Sequence, residues 1–319
     1  MSQDQDRALY ELARGYIKEQ RRARRWGMLF QTVKYLLIIL VVFSFIGSME
    51  ERQGAMDSVR TDHTALIDIE GVIASSEAAS ADKIVSALRS AMEARHSAAV
   101  ILRINSPGGS PVQSDYVYNE IVRLREDYPD KKIYAVISDV AASGGYYIAS
   151  AADEIYANPA SLVGSIGVTT GGAGLASFGY VEAMEKLGIE RRVITSGDSK
   201  NYLDPFSPQK PEQVAHHRSI LNQVHGQFIR KVEQGRGSRI KPTKELYSGL
   251  IWTGAKSVEL GLVDELASSS EVARDVIGVE KIVDYTIRPS YFEQFAEQFG
   301  TAVARVLLQA GFEERLQLR

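Results

Sequence analysis

Segments of strand length and helix length alternate along residues 63–157. Residues 98–104 are almost all apolar, which is typical of a strand buried on both faces, whereas residues 63–69 alternate apolar and polar side chains. Between them, residues 81–94 carry apolar side chains at helical spacing, namely Ile84, Val85, Leu88 and Met92. A repeat of strand, helix and strand at this interval predicts an α/β fold built on a parallel sheet with helical crossovers.

The same criteria predict further elements along the chain. Helices are expected at residues 114–124 and 143–152, and strands at residues 132–138, 153–157 and 191–195. A long polar helix is expected from residue 211 to residue 234, followed by a break at residues 235–238, where two glycines occur.

The N-terminal part of the chain contains an apolar run at residues 28–47, preceded by a basic cluster at residues 21–25. Twenty helical residues span roughly 30 Å, the thickness of the hydrocarbon core of a bilayer. By the positive-inside rule, this pattern predicts a cytoplasmic tail at residues 1–27, a transmembrane signal anchor at residues 28–47 and an exported remainder. A cleaved signal peptide is disfavoured because no pair of small residues forms a cleavage site, and a buried core helix is disfavoured by the one-sided charge.

Composition narrows the function further. The net charge is −3, and it divides into +4 for residues 1–47 and −7 for the rest of the chain, which argues against nucleic-acid binding. The chain has no cysteine, so disulfides, thiolate zinc sites and a cysteine nucleophile are excluded. The sequence also lacks His-Glu-x-x-His and a complete dinucleotide-binding fingerprint, so we expect neither a metal nor a cofactor.

Two glycine-rich turns follow apolar strands. The first contains Gly108 and Gly109, whose backbone amides could bind a phosphate or the oxyanion of an acyl-transfer reaction, unless the segment is a plain turn. The second contains Ser143 between a predicted strand and a predicted helix. This is an open position for an attacking hydroxyl, and it is also the usual position of a capping serine.

A serine nucleophile needs a base. His63 and His96, at the ends of elements, are expected at the surface, and the three histidines of the polar helix show no zinc-type spacing. Lys200 lies just past the strand predicted at residues 191–195, where functional loops of parallel sheets occur. An ordinary lysine, with a pKa of about 10.4, is protonated at neutral pH, and burial favours the neutral form that a base requires. A solvated loop lysine is the alternative interpretation.

Several motifs occur together in a fixed order: Asn-Ser-Pro-Gly-Gly at 105–109, Ala-Ser-Gly-Gly-Tyr at 142–146, Gly-Ser-Ile-Gly at 164–167, Ser-Gly-x-x-Lys at 196–200 and Gly-Leu-Val-Asp at 261–264. With Asn158-Pro159, Ser207-Pro208 and Trp252-Thr253-Gly254-Ala255, they resemble the signal peptide peptidase A (protease IV) family in its short, single-domain form. The resemblance covers residues 63 to about 270. It implies a Clp protease/crotonase-like fold of repeated β-β-α and β-α units after one N-terminal transmembrane helix.

The resemblance also implies roles for individual residues. Ser143 matches the nucleophile, Lys200 the general base and Ser165 the residue that orients the lysine. The turn at Gly108 and Gly109 matches the oxyanion hole. The segment expected to lie along a bound peptide comprises Val163, Gly164, Ile166, Gly167 and Val168.

The function implied is that of a membrane-anchored serine endopeptidase that degrades signal-peptide remnants and other hydrophobic or unfolded peptides. The implied organisation is a tether at residues 48–62, a protease domain at residues 63–288 outside the inner membrane, and a homo-oligomer with active sites near protomer interfaces. Residues 289–319 are predicted to form an amphipathic helix. Its apolar face favours a core or subunit contact over a membrane-surface helix, because the opposite face is mixed in sign rather than basic. Alternatives are a non-catalytic membrane scaffold and a crotonase-type acyl-CoA enzyme. A Clp-type peptidase would need a histidine soon after the nucleophile, and none lies between His96 and His216.

Overall fold

A computed structural model of the chain describes residues 60–170, 178–241 and 243–288, together with Arg24 and residues 26–28, 31–35 and 39 near the N-terminus. The chain divides into two compact units, one of Ser58–Arg288 and one of Met1–Asp57 with Pro289–Arg319. The predicted C-terminal helix at 289–319 and most of the predicted tether at 48–62 lie outside the described residues.

The N-terminal unit is described at ten positions, all of them helical. Thr32 Oγ1 donates to the Met28 carbonyl at 2.9 Å, a bond typical of a helix. None of the described helices is both long and apolar enough to cross a membrane. Most of the predicted anchor at residues 28–47 lies outside the described residues, so the anchor stays a prediction.

The larger unit contains the sheet and its crossover helices. The strands that the structure describes are β1 (His63–Ile73), β2 (Ser97–Gly109), β3 (Ile133–Ala142), β4 (Glu154–Ala157), β5 (Leu162–Gly164), β6 (Ile251–Thr253), β7 (Glu265–Leu266) and β8 (Ile282–Asp284). The described helices are α1 (Ala81–Glu93), α2 (Pro111–Asp127), α3 (Gly144–Ala149), α4 (Val181–Lys186), α5 (Pro211–Arg236), α6 (Gly254–Leu260) and α7 (Ser269–Glu271), with a 3₁₀ turn at Gly237–Arg239 and a π-helical turn at Val272–Ile277.

The strands form one sheet in the order β6-β5-β3-β2-β1-β8, with β4 paired to β3 and β7 paired to β4. The pairs are parallel except β5 with β6, which is antiparallel. Helix α1 joins β1 to β2 and helix α2 joins β2 to β3, because parallel neighbours need a crossover connection. The predicted α/β architecture with a parallel sheet is confirmed.

Both faces of the central strands are buried. In β1, Ala65, Ile67 and Ile69 pack into the larger core with α1, α2 and α3, while Leu66 faces a smaller core that contains Val272. The strand at 97–109 is buried in the same two-sided way, as its apolar run predicts. The alternation at residues 63–69 suggested a half-exposed strand, but β1 lies between β2 and β8 and is covered on both faces.

Two sequence-based expectations are wrong, those for residues 191–195 and for His63. Residues 191–195 form no strand, because the segment is exposed and pairs with no described strand. The expected break at residues 235–238 is confirmed, since α5 ends at Arg236 and Gly237 follows with a φ of 54°. Gly235 itself lies within α5 and allows a close approach, because a Cβ there would lie 1.9 Å from the Ser150 carbonyl oxygen. His63 is fully buried rather than exposed, and its ring nitrogens bond the Thr61 carbonyl and the Tyr285 hydroxyl at 2.8 and 2.9 Å.

Candidate active site

Ser143 lies between the end of β3 and the start of α3 in a strained backbone conformation. Its φ is 51° and its ψ is −120°, a region that residues with a side chain rarely occupy. Although Ser143 occupies the N-cap position of α3, its side chain makes no capping hydrogen bond. The geometry therefore contradicts the capping interpretation and leaves the hydroxyl available at a half-buried position.

The two glycine-rich turns meet, because β2 and β3 are neighbours and end at the same edge of the sheet. Gly108, with a φ of 101°, packs so closely against the second turn that a Cβ there would lie 2.7 Å from the Gly144 nitrogen and 2.8 Å from Ser143 Cβ. Only glycine fits this approach and this backbone conformation. The structure thus brings Ser143 and the predicted oxyanion turn together.

The backbone amides around Ser143 differ in what they bond. The Gly108 amide donates to Ser106 Oγ at 3.1 Å, and that hydroxyl donates to the Gly71 carbonyl at 2.6 Å. The Gly144 amide opens α3, where no carbonyl of the same helix can accept it. Gly144 is thus a further candidate donor that the sequence patterns did not single out, although its place directly after a candidate nucleophile was the available signal.

Ser165 is held next to Ser143 by β5. Ala142 pairs with Gly164 across β3 and β5, and the Ser143 amide donates to the Gly164 carbonyl at 2.8 Å. The Ser165 amide in turn donates to the Leu250 carbonyl at 2.8 Å, and Ser165 has a φ of 51°. The two serines are therefore fixed at one end of the sheet by backbone hydrogen bonds.

The predicted peptide-binding segment divides into a buried part and a half-exposed part. Val163 and Ile166 are fully buried, and Val163 pairs on both sides within the sheet. Gly167 and Val168 are half-exposed and lie beyond the end of β5.

Helix α3 is fixed by the two tyrosines that follow the glycines. The buried Tyr146 hydroxyl donates to the Leu262 carbonyl at 2.8 Å, and the Tyr147 hydroxyl donates to Asp115 Oδ1 at 2.8 Å. Burial, assisted by the Asp115 carboxylate, raises the pKa of Tyr147, so this hydroxyl stays a donor. Both bonds fix the position of α3, which begins directly after Ser143.

Lys200 is not joined to Ser143 within the described chain. Its amide closes a turn onto the Gly197 carbonyl at 3.1 Å, and residues 185–202 are all exposed. Among the hydrogen bonds and ion pairs of the described residues, none involves the Lys200 ammonium. A cavity of about 240 Å³ lies beside this turn, lined by Ser199, Tyr202, Glu212, Gln213 and His216. Within the described residues, no cluster of three or more histidine and carboxylate side chains is arranged to hold a metal ion.

Comparison with known proteins connects this geometry to a family. The model of peptidase family S49 matches residues 126–280. A putative protease of Synechocystis is 34% identical over 207 residues, which are 65% of this chain and 70% of the relative. A putative signal peptide peptidase SppA of Enterococcus faecium is 32% identical over 189 residues, which are 59% of this chain and 53% of the relative.

The Na⁺/H⁺ antiporter NhaA of Brucella abortus is 43% identical over 202 residues. The aligned region is 63% of this chain but spans only about a quarter, 26%, of the antiporter. Its name therefore describes a much longer protein. The family model covers the second glycine-rich turn, with Ser143, and the strands from β3 to β7. The chain belongs to peptidase family S49, the signal peptide peptidase A family.

Proposed function

We propose that the protein is a serine endopeptidase that works through an acyl-enzyme, with Ser143 as the nucleophile. The observation that carries this proposal is the strained Ser143 at the end of β3, uncapped and in contact with the glycine turn at Gly108. Strain of this kind is concentrated at functional sites, and it presents the hydroxyl in the manner of a nucleophile elbow.

In the first half-reaction, the neutral amine of Lys200 takes the proton of the Ser143 hydroxyl. The oxygen then attacks the peptide carbonyl and forms a tetrahedral oxyanion. We assign oxyanion stabilisation to the turn at Gly108 and Gly109 together with the Gly144 amide, which points from a helix N-terminus. Because the Gly108 amide bonds Ser106 Oγ, it has to exchange that partner if it is to donate to the oxyanion.

Collapse of the oxyanion breaks the peptide C–N bond. The Lys200 ammonium returns its proton to the leaving amine, and an ester remains on Ser143. Water then attacks the ester, with Lys200 again as the base. The acid product leaves, and the Ser143 hydroxyl is regenerated. In this scheme Ser165 is the positioning residue that orients the lysine amine.

We further propose that the working enzyme is a homo-oligomer in which a second chain completes each site. Residues 185–202, the segment that carries Lys200, include large apolar side chains that are exposed. The exposed fractions are 72% for Leu187, 55% for Ile189 and 100% for Ile194. Such a surface is typical of an interface. Desolvation of Lys200 by a neighbouring chain would favour the neutral amine that the mechanism needs.

The proposed substrates are extended, hydrophobic peptides near a membrane, and they include signal-peptide remnants. Gly167 and Val168 are half-exposed, and the Gly167 amide already donates to the Ser165 carbonyl at 2.8 Å. The backbone carbonyls of these two residues are therefore the groups that we assign to β-augmentation by an extended peptide. The proposed anchor at residues 28–47 would hold a Clp protease/crotonase-like domain at the outer face of the inner membrane. There it would meet peptides released from the bilayer.

The direct test compares the wild type with Ser143→Ala and Lys200→Ala on a fluorogenic hydrophobic peptide. We expect each variant to lose at least about a thousandfold in kcat, because a nucleophile and its base act as a unit. Ser138→Ala is the matched control, since Ser138 lies on β3 before the turn. Hydrolysis that persists in Ser143→Ala would contradict the assignment of the nucleophile.

A further inference from the structure

His225 contacts the segment that follows Ser165. Its ring Nε2 lies 3.0 Å from the Ile166 carbonyl oxygen, across the gap between α5 and the end of β5. A carbonyl oxygen only accepts hydrogen bonds, so the imidazole donates from Nε2. Ile166 is fully buried. Among the described residues, no backbone amide donates to the Ile166 carbonyl.

Helix α5 packs against the domain along the face that includes His225. His225, Phe228, Val232 and Arg236 follow the spacing of one helical face, and the last three are buried. The Phe228 ring lies 4.9 Å from the Tyr147 ring, which belongs to the same helix α3 that begins after Ser143. The position of His225 is therefore fixed relative to α3 by the packing of α5.

Arg236 fixes the far end of this face. Its guanidinium donates to both carboxylate oxygens of Asp264 at 2.8 Å and to the Gly261 carbonyl at 2.9 Å. On the other side of the segment, the Leu250 carbonyl accepts from the Ser165 amide at 2.8 Å. Residues 165 and 166 are thus held from two directions, by the strand edge and by His225.

We propose that His225 is a positioning residue for peptide binding. By holding the Ile166 carbonyl, it sets the direction of the chain at Gly167 and Val168, whose backbone is the half-exposed part of the predicted peptide-binding segment. Loss of the donor leaves a buried carbonyl without a partner, and the segment then rotates towards solvent. The inference rests on the proposed peptidase function.

The experiment uses the full chain with three substitutions on α5. His225→Leu removes the donor and keeps the bulk, whereas His225→Gln keeps an N–H donor near the position of Nε2. Gln223→Leu is the matched control, because Gln223 is exposed and lies about 200° around the helix from His225. Each protein is assayed for peptide kcat and KM, for labelling by a small fluorophosphonate and for thermal unfolding.

We expect His225→Leu to raise KM about fivefold to tenfold, the range that one hydrogen bond supports, with kcat nearly unchanged. Fluorophosphonate labelling of Ser143 should stay at the wild-type rate, because the small probe does not use the peptide-binding segment. His225→Gln should restore KM to within about twofold, and Gln223→Leu should behave as the wild type.

Other outcomes overturn the inference. Wild-type KM in His225→Leu would show that the contact is not used in binding. A parallel loss of labelling, kcat and thermal stability, without rescue by His225→Gln, would show a role in folding alone. Failure of the proposed peptidase function gives a different result from failure of this inference. In that case Ser143→Ala would still cleave the peptide, or the fluorophosphonate would label a residue other than Ser143.

Discussion

At the scale of single residues, Gly108 and Ser143 show how backbone geometry prepares a site. Ser143 adopts a φ of 51° that a serine rarely adopts, and the absence of a side chain at Gly108 leaves room for it. The surrounding hydrogen bonds have to stabilise this strain, which costs about 1 to 3 kcal/mol at a single residue. The bonds from Ser143 to Gly164 and from Ser165 to Leu250 do so at neighbouring positions.

We expect Gly108→Ala to abolish peptide hydrolysis and to lower the free energy of unfolding by about 2 to 4 kcal/mol, because a Cβ would lie 2.8 Å from Ser143 Cβ at a φ of 101°. Denaturant titration and peptide kinetics measure the two effects. Gly278→Ala is the control, since Gly278 has a φ of 78° and open space around it. It should lose about 1 kcal/mol and keep its activity. An active Gly108→Ala protein would contradict the proposed contact.

Glu120 on α2 makes the stability depend on pH. Hydrogen bonds from Arg123 and Arg89 lower its pKa from 4.5 to about 2. The carboxylate therefore stabilises the folded state above pH 4.5, and this contribution is lost as the pH falls from 4.5 towards 2. We expect the unfolding free energy of Glu120→Gln to depend less steeply on pH in that window than that of the wild type. Equal slopes in urea titrations at several pH values would exclude this role.

At the scale of elements, α5 connects distant parts of the sequence through its C-terminal half. Arg236 is buried and paired with Asp264, just before β7. Burial acts to raise the pKa of Asp264, but the hydrogen bonds and charge of Arg236 outweigh it and hold the pKa below the ordinary value. A buried guanidinium paired with a half-buried carboxylate fixes the position of a helix more than it adds net stability.

We expect Arg236→Met to cost about 3 kcal/mol of unfolding free energy, because it leaves the half-buried Asp264 without its main partner. The double variant with Asp264→Asn should lose less than the sum of the two single variants, since both remove one interaction. Arg230→Met is the control on the exposed face of α5. Strictly additive losses in denaturant unfolding would show that the pair is not coupled.

The elements also show where sequence patterns fail. Periodicity predicted α1, α2 and the buried strand β2 because the spacing of their apolar side chains matches the faces that are buried. It failed at residues 191–195 because a short β-branched run forms a strand only beside another strand. It located the end of α5 within residues 235–238 but gave no reason for Gly235, because the Ser150 carbonyl that this glycine approaches belongs to a distant part of the chain.

At the scale of the whole molecule, the proposed pairing of Ser143 with Lys200 from a neighbouring chain predicts complementation. Ser143→Ala and Lys200→Ala are each expected to be inactive. When they are co-expressed and purified together, random mixing should restore about a quarter of the wild-type sites, because a site then needs one intact residue from each of two chains. Activity of the pooled variants and their mass in solution are the measurements. No recovery in a demonstrated mixed oligomer would place both residues in one chain.

The sequence by itself determined the α/β architecture, the absence of cysteine chemistry and the resemblance of the glycine motifs to those of one family. These three features depend on residue types and on local spacing. Only the tertiary structure decided that Ser143 is uncapped and strained, that Gly108 packs on it and that His225 bonds the Ile166 carbonyl. These contacts join residues that are 35 to 59 positions apart in the chain. Their geometry depends on which strands are neighbours in the sheet and on how a distant helix packs across it, and spacing along the sequence carries no such information.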